Sequence, residues 1–159
     1  MARRYDLEMV LADIKSIMTT HLNTKLAAID TEKNDGIVLK TIAADAYALQ
    51  NLTQKVMNYD PFIQYGVSDV STNGQGPHSA ETFQLMAAVL LVDSGQDAQM
   101  MTRLFRYRRA LKEIFEDNWK KMSGGVQMKI EGGLPAEMQE AKTQKAYRVI
   151  GVFIEVTVA

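Results

Sequence analysis

The chain has 159 residues, no cysteine, three prolines and ten glycines, and 18 basic against 19 acidic side chains leave a net charge of −1. Without cysteine there is no disulfide framework and no thiolate-held zinc or iron–sulfur centre. Hydrophobic residues at 47% and charged residues at 23% suit one globular domain with its own core. The balanced charge gives no reason to expect non-specific binding to nucleic acid or membrane.

Arg3 and Arg4 open the chain, but Asp6, Glu8 and Asp13 break up the residues after them, so no secretory leader is expected. The densest apolar run, Leu85 to Val92, is far short of the ~20 residues that span a bilayer. A soluble protein is expected.

Leu7, Val10, Leu11, Ile14, Ile17, Met18, Leu22 and Leu26 recur at steps of three and four. That spacing predicts an amphipathic helix over 6–28, with Asp6 as its N-cap. Asp30 to Gly36 reads as a polar break with an Asp-Gly turn. Ile37 to Ile42 is a short apolar run, a strand or an extended arm. Ala46, Leu49, Leu52 and Val56 sit at helical spacing and predict a short second helix over Asp45 to Met57, closed by Pro61.

From Phe62 the period changes to two. Phe62 to Ser68 alternates as a half-buried strand, and Ser71 to Ser79 reads as a loop. Glu81 to Val92 is a second strand whose end is apolar on both parities, which requires cover on both faces. Asp93 to Asp97 is a turn supplying a cap to a helix over Asp97 to Met122, stopped by Gly124 and Gly125. Val126 to Glu131 is a strand, Gly132 to Pro135 a loop, and Lys142 to Ala159 the final strand. The sum is one α+β domain over 1–159, with 37–59 as an insertion or arm. A mostly antiparallel sheet of about four strands packs against a long N-terminal helix and a second long helix. The last two strands pair across the segment Gly132 to Gln144.

Constellations for chemistry are sparse. His21 lies on the first helix beside Thr19 and Thr20. His78 follows Pro77 and precedes Ser79, and neighbours in sequence do not make a nucleophile–base pair. Gly74-Gln75-Gly76 runs into Pro77 and lacks the ending of a phosphate-binding loop. Asp93 to Asp97 lacks the spacing of a calcium loop. Glu113, Glu116 and Asp117 alternate with Lys112, Lys120 and Lys121 as a solvated helix face. Met100 and Met101 read as core filler. No catalytic residue, cofactor or metal site is expected. An enzyme centred on His78 and the Gly74–Pro77 loop has no substrate to propose.

The feature that stands out is Arg103, Arg106, Arg108 and Arg109 around Tyr107. Such a block can contact a nucleic-acid backbone, form a salt-bridge patch between subunits, or snorkel over the core edge and pair with local acids. The overall charge favours the last two.

The order of parts resembles the tail terminator (tail completion, neck) proteins of tailed bacteriophages. A long amphipathic helix comes first, then the strand Pro61-Phe62-Ile63-Gln64-Tyr65-Gly66-Val67. The apolar strand Glu81 to Val92 is next, ending in an acidic turn. A helix carrying Arg106-Tyr107-Arg108-Arg109-Ala110-Leu111 and two closing strands complete it. The resemblance runs from residue 6 to 159 and is weakest over Ile37 to Tyr59. It implies a non-enzymatic virion protein, assembled in the host cytoplasm, that forms a ring, usually a hexamer, on the finished tail tube. Its implied partners are copies of itself, the tail tube protein, the neck or head-completion protein and, in contractile tails, the sheath. DNA would pass through the ring without specific binding. A head-completion or connector ring is the alternative within the same particle. On this reading the expected ring contacts are Arg103, Arg106, Arg108 and Arg109, complemented by Asp93 and Asp97. Phe153 and Val156 of the long apolar final strand, read as an edge awaiting a partner, complete the set.

Overall fold

The computed structural model describes residues 5–74, 79–122, 126–131, 136–139 and 145–158. Helix α1 is Leu7–Lys33, longer than its apolar periodicity suggests. Asp6 caps it: the Met9 N–H donates to Asp6 Oδ1 at 3.0 Å, as an N-cap carboxylate should. At the far end the residues expected to form a polar break stay helical as far as Lys33. The stop is Asn34, in the left-handed conformation at φ 44°, whose N–H donates to the Asp30 carbonyl at 3.0 Å. Val10, Ile14, Ile17, Met18, Leu22, Leu26 and Ile29 are buried, and each fully buried Leu or Ile is worth ~1.5–3 kcal/mol.

Residues 35–46 form an arm with no regular secondary structure that buries Leu39 and Ile42. Asn23 of α1 grips it with both halves of its amide. Its Nδ2 donates to the Ile42 carbonyl at 2.9 Å, and the Ile42 N–H donates to its Oδ1 at 2.7 Å. The Leu39 N–H donates to Asp30.

The predicted helix over Asp45 to Met57 is not formed as such. Tyr47–Leu49 is a strand, β1, parallel to β2, and only Gln54–Met57 is helical, α2. Ala46 and Ala48 are buried at period two while Leu49 is half-exposed. The ladder explains the outcome: Ile63 N–H donates to the Ala46 carbonyl at 2.8 Å and Gln50 N–H to the Tyr65 carbonyl at 2.7 Å. Pairing with a neighbouring strand outweighs a weak local helical pattern.

Strand β2 runs Phe62–Asn73 and β3 runs Ala80–Asp93. The start of the predicted loop, 71–73, is strand, because Ser71, Thr72 and Asn73 pair with Thr82, Glu81 and Ala80. Ser68 is a bulge: the ladder steps from Val67 opposite Leu85 to Asp69 opposite Gln84. Helix α3 is Met100–Asn118, continued by a single 3-10 turn, Trp119–Lys121. It starts three residues later than expected. Asp97 stabilises the preceding turn instead, accepting the Gln99 N–H on Oδ1 at 2.9 Å and the Met100 N–H on its carbonyl at 3.2 Å. The expected stop at Gly124 and Gly125 lies outside the described residues.

The sheet closes with β4 (Val126–Glu131), β5 (Ala136–Gln139) and β6 (Ala146–Val158). Its order is β1-β2-β3-β6-β4, with β5 also on β6. The fold is therefore α+β, but the sheet has six strands, and its β1–β2 pair is parallel. β4 and β5 lie along the same side of β6, and the register shifts by one residue between them. Part of the segment expected to connect the last two strands is thus itself strand. The loop expected at 132–135 lies outside the described residues. The final strand is not an edge: β3 pairs one side of it and β4 and β5 the other.

On the helix side the sheet buries Phe83, Leu85, Ala87, Val89, Ile150, Val152, Ile154 and Val156. The opposite face also buries Phe62, Leu90 and Tyr147, with the Phe62 and Tyr147 rings edge to face at 5.6 Å. The end of β3 is thus covered on both sides, as its apolar parity requires. Among the described residues no helix is long and apolar enough to cross a membrane.

Candidate functional site

Helix α3 carries the arginine block, and its periodicity splits the block between two sides. Arg106 is buried against the arm. Its guanidinium pairs with both oxygens of Asp35 and donates to the Ile37 carbonyl at 3.3 Å. The pair holds the Asp35 carboxyl well below the usual carboxylate range, at about 2. Arg109 forks onto Glu32 at 2.9 and 2.7 Å and donates from Nε to Glu113 at 2.8 Å. Those hydrogen bonds lower the Glu32 pKa and raise that of Arg109. Lys25 of α1 reaches Glu113 and Asp117 at 3.5 and 3.3 Å. One side of α3 is thus stitched to α1 and the arm by charge-assisted bonds within the chain.

The acids expected to complement this helix across a subunit boundary are engaged the same way. Asp97 accepts from Arg103 at 3.2 Å. Asp93 accepts from Arg148 Nε at 2.7 Å and from the Gly95 N–H at 2.8 Å, which together lower its pKa. Val156 is fully buried beneath the helices, so it is core and corrects the expectation of a surface contact. Arg106 is likewise interior. Asp35, Glu32, Asp30 and Asn23, which fasten the arm and α3 to α1, do not stand out in the sequence. Their only signal is the acidic turn before Gly36, which reads as an ordinary turn.

Arg108 faces the other way. Among the described residues it has no ion-pair partner. Helical spacing puts it on one flank with Met101, Phe105, Lys112 and Trp119. Met101, Phe105 and Trp119 are 41%, 55% and 39% exposed, so Met101 is not core filler. Lys112 bonds Glu116 at 2.7 Å, and Lys120 lies 5.6 Å from the Trp119 ring centre. Beside Trp119 a groove of about 260 Å³ opens between α3 and β4, lined by Phe115, Glu116, Met128 and Ile130. Phe153 is 43% exposed on the far face of the sheet, over a shallow hollow with Met86, Ala88 and Gly151.

A second cavity, about 250 Å³, lies where α3 begins, against the arm and the end of β3. Its charges face one another in pairs, Lys40 with Asp60 at 3.5 Å and Arg103 with Asp97. Tyr107 closes the cavity, its hydroxyl donating to the Lys40 carbonyl at 2.7 Å, and burial pushes the phenol pKa up. Among the described residues no cluster of three or more His, Cys, Asp or Glu could hold a metal ion. His21 is half-buried on α1; His78 lies outside the described residues.

Comparison with protein-family models finds no matching family, and comparison with curated proteins finds no matching relative. The site's chemistry therefore rests on its own geometry. Its polar groups tie the chain to itself, and what remains outward is apolar surface with a few uncommitted charges.

Proposed function

We propose that this chain is a structural ring subunit of a phage tail or neck, the piece that caps a completed tail tube and offers a surface to the head. One observation carries the reading. Large apolar side chains, Met101, Phe105, Trp119 and Phe153, stand out from a domain whose arginines are largely bound in cis. Met101, Phe105 and Trp119 share one flank of α3, and apolar side chains gathered on one face mark a surface that another chain covers. The order of helix, strands, helix and strands is the second support. The nucleic-acid reading weakens on the same grounds, since Arg103, Arg106 and Arg109 are already paired with carboxylates.

The test is the native mass of the purified protein across concentration and salt, alone and with isolated tail tubes. A discrete ring, or a monomer that becomes a ring on tubes, is expected. A monomer indifferent to tubes at every concentration would reject the proposal.

A further inference from the structure

The two sides of the molecule at opposite ends of the sheet are unlike each other. At the β1–β2 end, Leu49 and Val70 are half-exposed. Asp45 and Asp69 are exposed and have no cationic partner among the described residues. β1 pairs with β2 only at Ile63 to Tyr65, so from Gly66 onward this side of β2 is open among the described residues. The bulge at Ser68 and the charge of Asp69 blunt it against indiscriminate strand pairing. At the α3–β4 end, Met101, Phe105 and Trp119 supply apolar knobs. Arg108 and Lys120 supply cations with no carboxylate partner among the described residues.

The two strips also match in length. Tyr47 lies opposite Ile63 in the parallel pair, which sets Asp45 level with Pro61. From there to Val70, less the bulge residue, is about eight steps, or about 26 Å at ~3.3 Å per residue. Met101 to Trp119 along α3 spans about 27 Å at ~1.5 Å per residue. One strip is acidic and the other basic, and each has apolar side chains between its charges. Because the strips lie at opposite ends of the sheet, one two-fold contact cannot bring both together, whereas a head-to-tail contact uses one strip of each copy and leaves the other for the next copy.

We infer that the acidic β1–β2 edge of one copy docks on the basic, apolar flank of α3 of the next, with Asp45 and Asp69 facing Arg108 and Lys120. The occupant of each strip is a second copy of this chain, so the inference rests on the ring reading and specifies its contact. A strip ~27 Å long and one helix, ~11 Å, wide covers roughly 300 Å² per partner, well under the ~800 Å² of a stable pair. An isolated dimer is therefore weak. Assembly is cooperative, because closure lets every copy use both strips at once.

The experiment is a charge swap read by sedimentation. Arg108→Glu with Lys120→Glu, and separately Asp45→Lys with Asp69→Lys, are each expected to raise the assembly midpoint concentration at least tenfold. Mixing the two variants is expected to restore assembly between unlike copies. Phe105→Ser is expected to give a monomer with an unchanged melting temperature, because that side chain is exposed. Rings that form normally in all three variants would overturn the inference and leave the ring reading intact. A wild-type chain that stays monomeric with and without tail tubes would overturn both.

Discussion

At the scale of single residues, the arginine helix shows how a functional-looking motif can be mostly structural. Arg106 and its partner Asp35 are 71 positions apart in the chain. The sequence displays the arginines side by side but not their partners. Which acid each one meets depends on how far α1 runs and how the arm turns back. The Asp35 carboxyl, held at about 2 by Arg106, sets a pH dependence. A depressed folded pKa contributes stability above the unfolded value, ~3.9, and loses it as pH falls through that value toward about 2. Asp35→Asn is therefore expected to lower the melting temperature at neutral pH, with the gap from wild type closing near pH 2. Thermal melts of both proteins across acid pH check this; a gap that stays constant would show that the pair contributes no charge-dependent stability.

At the scale of elements, long periodic stretches are legible in the sequence and short ones are not. The first helix, its cap, the strands β2 and β3, the arginine helix and the strands β4 and β6 follow from spacing, whereas the β2–β3 pairing and the short strand β5 do not. β1 is hidden because Ala46, Leu49, Leu52 and Val56 mimic a helical stripe. Its true identity is set by β2, a partner that no local window contains. The strands also impose packing that spacing does not announce. Gly151 of β6 lies opposite Ala88 of β3. A Cβ at this position would collide with the Ala87 carbonyl oxygen and come within 2.9 Å of the Ala88 Cα. Both are backbone atoms in the middle of the sheet and cannot step aside. Gly151→Ala is expected to cost about 2–3 kcal/mol by overpacking, read as a lower urea midpoint. An unchanged midpoint would mean that the central strands can part at little cost.

At the scale of the whole molecule, the α+β class is readable from the order of elements, but which strand lies inside the sheet is not. The long apolar closing strand reads as an edge in need of cover, and topology decides otherwise. β6 sits between β3 on one side and β4 and β5 on the other, while among the described residues the open sides belong to β1, to β2 beyond it, and to β4 and β5. That placement has a consequence in time. As the chain is synthesised, β3 emerges with β2 on one side and nothing on the other. It waits through all of α3, β4 and β5 before its second partner exists. During that interval the densest apolar run of the protein, Leu85 to Val92, offers a bare strand to any neighbour. Chains cut before Ala146 are accordingly expected in the insoluble fraction of an expressing cell, and chains that include β6 in the soluble one. The protein's most dangerous surface is one that the finished molecule no longer has, and slow or crowded synthesis, not storage, is where it would be lost.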